Sequence, residues 1–188
     1  MIIEPTDALI VVDVQNDFCP GGRLAVPRGD EVVQPLNFFI RMFSAAGGII
    51  FYTYDWHPAD HCSFIEQGGP WPTHCMQNTV GALLHPQLSV EVGVNAYHFY
   101  KGALRDKEEY SGFCGVMEMI LKRSAQRVFI GGLATEYCVK ATALDAVKML
   151  PTCLLTSCIR AVDAQPGDGQ KAIDEMAAAK IIPIGVWE

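Results

Sequence analysis

At 188 residues, half of them apolar and 19% charged, the chain has the composition of a globular protein with a sizeable core, not of a disordered one. A net charge of −7 without basic clusters excludes a nucleic-acid partner as the leading reading. No apolar run approaches the ~20 residues that span a bilayer, MIIEPTDALIVV lacks the basic start and cleavage site of a secretion signal, and seven cysteines show no disulfide-framework spacing. The expectation is one cytoplasmic domain, residues 1–188, that binds neither nucleic acid nor membrane and acts on a small molecule. Self-association is left open.

The aliphatic run from Asp7 to Val14 predicts a strand buried on both faces of a parallel sheet. A polar, turn-rich loop, QNDFCPGG, follows. Asp30 is expected to cap a helix carrying Val32, Leu36, Phe39, Ile40 and Phe43 at helical spacing, with Gly47 as its stop. Gly48 to Tyr54 reads as the second strand. Asp55 to Gly93 is rich in Pro, Gly, His and Trp and too long for a simple connection, which marks it as functional. Val94 to Tyr100 gives a third strand, then come the charged loop RDKEEYSGF and a helix over roughly Gly112 to Ser124.

Arg127 to Ile130 is the fourth strand, with Gly131-Gly132 permitting a tight turn or a close backbone approach and Thr135 as the N-cap of the next helix. That placement puts Cys138 at about the third helical position, where the dipole favours a thiolate. A buried thiol acting only as a small hydrophobe is the alternative. Thr152 to Thr156, a helix over Gly167 to Ala179 and a short strand at Ile181 to Ile184 complete the pattern. Strands alternating with helices predict a three-layer α/β/α fold with a six-stranded parallel sheet and helices on both faces. No GxGxxG follows the first strand, so a dinucleotide site has no support.

Ligands of such sheets bind beyond the carboxyl ends of the strands. Asp13, Asp55, Lys101 and Cys138 all fall there. Each alone could be a turn cap, a solvated strand end or a core thiol, but a shared edge favours function. Together they allow covalent acyl transfer. Asp13 would take the thiol proton of Cys138 and return it to a departing amine. Lys101 would keep both anions charged, and backbone N–H groups between Ala134 and Cys138 would hold an oxyanion.

Asp55 and His57, two residues apart, can share one face, and His74 of WPTHC is the third member of an Asp/His/His metal set. Open positions suit a catalytic Zn²⁺ first, with Fe²⁺ or Mn²⁺ as alternatives. A structural zinc site using Cys62 or Cys75 lacks a CxxC pair. His61 is either a further ligand, a neighbour of the ligands or a turn residue, whereas His85 and His98 read as structural. Phe18, Trp71 and Tyr110 gather at the same edge, which suits a flat aromatic substrate.

DVQNDFCPGG, DWHPADHCSF, WPTHC, YKG followed by YSGF, GLATEYCV and IRAVDAQPGD together resemble the nicotinamidase/pyrazinamidase branch of the isochorismatase-like cysteine hydrolases. The resemblance runs in order over nearly the whole chain. It implies the isochorismatase-like fold and hydrolysis of nicotinamide to nicotinate and ammonia through a cysteine thioester, in NAD salvage, with pyrazinamide also accepted. It further implies Asp13, Lys101 and Cys138 as the triad, and Asp55, His57 and His74 around a metal that takes the pyridine nitrogen and waters. Phe18, Trp71, Tyr110, Leu133 and Tyr137 would form the ring pocket for a small aromatic amide. Ala134 and Cys138 would form the oxyanion hole after a cis Leu133–Ala134 bond. Glu136 stands where such proteins often carry Asp. A related cysteine hydrolase, such as an isochorismatase, carbamoyl amidase or ureidoacrylate hydrolase, and a non-catalytic scaffold of the fold are the competing readings.

Overall fold

A computed structural model of the protein describes residues 2–185. Its six strands are β1 (Asp7–Val12), β2 (Ile49–Asp55), β3 (Ala96–Lys101), β4 (Arg127–Leu133), β5 (Thr152–Arg160) and β6 (Ile182–Ile184). The helices are α1 (Val33–Ala46), α2 (Phe113–Lys122), α3 (Lys140–Ala146) and α4 (Asp168–Ala178). Every strand pair is parallel, in the order β3-β2-β1-β4-β5-β6. The chain winds outward from β1 to β3, returns to β4 beside β1, and winds out again. The crevice where strand order reverses therefore opens between the ends of β1 and β4.

The continuous aliphatic runs form strands because both of their faces are covered. Leu9 and Val11 of β1 pack with Leu36, Ile40 and Phe43 of α1, and Ala8 and Ile10 with Val116 and Ile120 of α2 and Met176 of α4. Phe43 meets Phe129 of β4 edge to face, ring centroids 5.3 Å apart. These faces make the three-layer α/β/α architecture that the alternating pattern predicts. Among the described residues no helix is long and apolar enough to cross a membrane.

Local punctuation differs from the sequence expectation in three places. Asp30 does not cap α1; it lies inside a short 3₁₀ turn, Gly29–Val32, that feeds directly into the helix. Gly131-Gly132 is not a turn, because β4 continues through both to Leu133. Thr135 is no N-cap, since the segment after β4 is a π-type turn over Thr135–Val139 and α3 starts only at Lys140. At the other end of α1, Gly47 adopts the left-handed conformation (φ 74°) and bonds back to Phe43 and Ser44, as expected.

Gly132 has a structural reason of its own. Its φ is +133°, and a Cβ there would lie 2.0 Å from the Val12 carbonyl oxygen. Only a hydrogen in that position lets β4 approach β1 at the crevice. Gly132→Ala is expected to lower stability by more than about 2 kcal/mol from backbone strain and contact together. Urea unfolding checks it, and an unchanged midpoint would show that the two strands can part here without cost.

Candidate active site and metal centre

Asp13 follows β1 directly and takes a positive φ of 46°. Its carboxylate is fully buried and accepts the Thr53 hydroxyl at 2.7 Å. Asp55 ends β2 and pairs in register with Lys101, the last residue of β3. Lys101 extends its ammonium to three acceptors: Asp13 Oδ2 at 2.8 Å, Cys138 Sγ at 3.3 Å, and Asp55 Oδ1. The contacts to Asp55 and Cys138 are hydrogen bonds, and the contact to Asp13 Oδ2 is an ion pair.

Cys138 sits in the π-type turn, where Tyr137 has non-helical dihedrals (φ −112°, ψ −105°). The N–H groups of Tyr137 and Val139 both donate to the Ala134 carbonyl, at 3.1 and 3.2 Å. The Leu133–Ala134 peptide that opens the turn is cis. Glu136 ties the turn to the segment after β5, its carboxylate accepting the N–H groups of Val162 (3.2 Å) and Asp163 (2.8 Å).

Burial and the neighbouring charges together bias the charge states here. It lifts Asp13 above the usual carboxylate range, with Lys101 pulling the other way. For Asp55 burial also pushes upward, but Lys101 and His57 outweigh it and hold the group well below the usual carboxylate range. Burial opposes the charge on Lys101, yet the two carboxylates hold the ammonium well above the usual amine range. Burial raises the Cys138 thiol well above its ordinary value, and Lys101 offsets this only in part. Desolvation thus favours the thiol over the thiolate, against the pull of Lys101.

His57 and His74 converge on the other oxygen of Asp55. Their Nε2 atoms lie 3.7 and 3.9 Å from Asp55 Oδ2. His57 Nδ1 faces the Gly102 carbonyl at 3.0 Å and His74 Nδ1 the Pro72 carbonyl at 2.7 Å. A carbonyl can only accept, so each Nδ1 carries the proton and each Nε2 offers a lone pair inward. Burial pushes His74 downward; it pushes His57 downward too, but the Asp55 carboxylate prevails and raises that ring. The three ligand atoms lie within 4.8 Å of one another and are buried, beyond hydrogen-bond reach but spaced as donors sharing one ion with bonds of about 2 Å. A divalent metal fits this donor set.

His61 is not part of it. Its Nδ1 meets the Ser63 hydroxyl at 2.7 Å and its Nε2 the Lys107 carbonyl at 3.0 Å, so both nitrogens are engaged. The ring stacks 4.1 Å from that of His57 and, with the Cys62 N–H to Arg105 carbonyl bond (2.8 Å), ties the loop after β3 to the ligand segment. His98 bonds the Tyr54 hydroxyl and stacks on Tyr52, a structural role as expected.

Above these groups opens a cleft with Phe18, Trp71, Tyr110 and Tyr137 on its walls and Cys138, Asp55 and His74 at its floor. Trp71 Nε1–H donates to the Tyr110 hydroxyl at 2.9 Å, which fixes the two rings against each other. Ala134 also lines the cleft. Leu133 does not: it is fully buried in the core at the end of β4. Sequence reading missed Leu24, Val26 and Val162, which complete the apolar wall, and Glu108, the acid at the cleft. Apolar wall residues carry no chemical signature, and Glu108 is one of several charges in the loop RDKEEYSGF, with nothing in the sequence to single it out.

The isochorismatase domain model matches residues 7–182. The nicotinamidase of Escherichia coli K12 is 36% identical over an alignment of 210 positions that covers 98% of each chain. Among solved structures, the pyrazinamidase of Pyrococcus horikoshii in complex with zinc is similar with a TM-score of 0.89 and 44% identity, over 96% of this chain and 99% of that one. PnC1 from L. infantum in complex with nicotinate is similar with a TM-score of 0.88 and 32% identity, over 98% and 96% of the two chains.

Removing Lys101 leaves two buried carboxylates facing each other without their cation. Lys101→Ala is expected to cost about 3–5 kcal/mol, the range for stripping one partner from a buried ionic cluster. Chemical denaturation measures it. A loss below about 1 kcal/mol, typical of an exposed pair, would show that the cluster is more hydrated than its burial implies.

Proposed function

The chain belongs to the isochorismatase family, and from that footing we propose that it is a nicotinamidase. It hydrolyses nicotinamide to nicotinate and ammonia, in the return of nicotinamide to NAD synthesis, and accepts pyrazinamide as well. The observation that carries the reading is Asp55, whose two oxygens face a lysine–thiol cluster on one side and two imidazoles on the other, at the floor of an aromatic cleft. A small aromatic amide fits that arrangement, its ring between Phe18, Trp71 and Tyr110 and its carboxamide towards Cys138.

In the mechanism we assign, Cys138 Sγ attacks the carboxamide carbon while Asp13 takes the thiol proton; their reactive atoms lie within 4.8 Å of each other. Lys101 stabilises the transferred negative charge. Backbone N–H groups at Ala134 and Cys138 hold the oxyanion of the tetrahedral intermediate. As the C–N bond breaks, Asp13 hands its proton to the leaving nitrogen and ammonia departs, leaving a thioester on Cys138. Water then attacks the thioester carbonyl, giving a proton to Asp13. The C–S bond breaks, the thiol regains that proton, and nicotinate is released.

Asp55, His57 and His74 would hold the divalent metal, zinc first, which when bound supplies a Lewis acid for the pyridine nitrogen. The chain's own contribution there is orientation. The two carbonyl-locked imidazoles and Asp55 fix where the ring edge points, while the aromatic walls exclude water from the acyl centre.

Ammonia release from nicotinamide is expected to disappear in Cys138→Ala and to fall on treatment with a strong chelator, with zinc restoring it. Retention of most activity in Cys138→Ala would sink the mechanism, and equal ammonia release from acetamide would sink the substrate assignment. The pH profile follows from Asp13. Below its pKa the group is protonated and cannot accept the thiol proton, so kcat/KM falls as pH falls. Because burial raises Asp13, the acid limb is expected above the ordinary carboxylate value of about 4. A limb at or below that value would remove Asp13 from the role.

A further inference from the structure

The loop between β1 and the 3₁₀ turn carries two buried polar residues that the mechanism does not use. Gln15 is fully buried, and its carboxamide makes a two-point bond to the backbone of Asp55. Nε2 donates to the Asp55 carbonyl at 2.8 Å, and Oε1 accepts the Asp55 N–H at 2.8 Å. The same Nε2 also reaches the Ala82 carbonyl at 2.8 Å. A side-chain amide here stands in for a neighbouring strand, fixing the backbone dihedrals of the residue that bears the shared carboxylate.

Asp17, two residues on, holds the other two ligands. Its Oδ2 accepts the Cys75 N–H at 2.7 Å, and its Oδ1 the Arg23 N–H at 3.2 Å. Cys75 directly follows His74 and sits at a positive φ of 43°. The Cys75 carbonyl in turn accepts the His57 N–H at 3.0 Å. One unbroken series of bonds therefore runs from the Asp17 carboxylate through the Cys75 peptide to His57, with His74 attached beside it. Gly81 seals the arrangement: a Cβ there would lie 2.2 Å from Asp17 Oδ2.

We infer that Gln15 and Asp17 are positioning residues of the metal centre, Gln15 setting Asp55 and Asp17 setting the His57/His74 pair. Neither touches the metal nor the substrate. The inference rests on the metal-binding reading of Asp55, His57 and His74. It adds that the affinity of the site is set from the loop after β1, whose next residue, Phe18, is a cleft wall. Geometry at the metal and the width of the cleft are then coupled through one short segment.

The test is zinc titration of chelator-stripped protein in competition with a chromogenic chelator, with the thermal midpoint of each stripped protein measured in parallel. Asp17→Ala is expected to bind zinc about 10–100-fold more weakly than wild type, the usual effect of losing a partner that orients metal ligands. Asp17→Asn should fall between them, because its one carbonyl oxygen can still accept the Cys75 N–H while its NH₂ faces the Arg23 N–H. Gln15→Met should weaken binding through Asp55. Gly81→Ala provides an arm in which Asp17 is intact: the new methyl displaces the flexible end of that side chain, so zinc affinity should drop there too. In nicotinamide hydrolysis, excess zinc should bring kcat of these variants back towards wild type while the zinc concentration for half-activity stays shifted. Wild-type zinc affinity in both Asp17→Asn and Gly81→Ala, or a lowered thermal midpoint without any change in zinc affinity, would overturn the inference. A wild-type protein that binds no zinc would overturn the metal reading itself, and this inference with it.

Discussion

The ammonium of Lys101 is the point on which the interior of this protein depends. It is desolvated, which opposes its charge, and it stays charged because two carboxylates are desolvated with it. Without the cation, Asp13 and Asp55 would be two like charges in a medium of low polarity, close enough to repel by several kcal/mol. With it, β1, β2 and β3 can end at a common point and the turn after β4 can bring a thiol to the same place. A buried cluster of this kind is weak evidence for stability, since apolar residues of equal volume often do as well or better. Its presence makes sense as equipment for the proposed chemistry, held in a fold stabilised by the two apolar layers around the sheet.

Parallel topology accounts for how few residues accomplish this. All six strands run the same way, so their carboxyl ends share one edge, and the reversal of strand order places the ends of β1 and β4 on either side of a crevice. Lys101 arrives by register alone, opposite Asp55 on the neighbouring strand. The long segment after β2 folds back over this edge and is tied down by Gln15 and Asp17 from the loop after β1 and by its own His61, which reaches the loop after β3. Those ties convert an irregular segment into a fixed wall.

Strand ends were legible in the sequence because an aliphatic run that stops at a single charged residue is what a strand covered on both faces requires where it meets solvent or a site. The Asp55/His57 pair and Cys138 stood out for the same reason, as titratable groups just beyond buried strands, and His74 of WPTHC as the imidazole that completes an Asp/His/His set. What could not be read was anything decided by burial or by a local contest of backbone conformations. Thr135 and Asp30 have the chemistry of N-caps, yet the chain before each helix takes a π-type and a 3₁₀ turn instead. Gly131 and Gly132 could have made a turn or a close backbone approach, and the second holds: a Cβ at Gly132 would meet the Val12 carbonyl of β1, and one at Gly131 the Cys158 side chain of β5. The thiolate expected of Cys138 followed from local dipole and charge, and desolvation, a property of the whole fold, works against it more than Lys101 works for it. His61 shared its neighbours' motif, and only the positions of Ser63 and Lys107 show that its nitrogens are already engaged.

The most instructive contrast is between the two carboxylates that share Lys101. Burial raises both, and the same ammonium pulls both down, yet Asp13 ends above the usual range and Asp55 below it. The difference lies in the remaining partners. Besides Lys101, Asp13 has the Thr53 hydroxyl to favour its anion, and the nearby Asp55 charge works against its ionisation. Asp55 has, besides Lys101, the imidazole of His57. One carboxylate is thereby made a better proton acceptor and the other a permanent anion, the division that acid–base chemistry and metal ligation require of them in the proposed mechanism. A thiol that is neutral at rest fits the same scheme, because a raised Asp13 beside it can take the proton as the sulfur attacks. In the proposed mechanism nucleophile and base are thus matched to each other in one desolvated pocket.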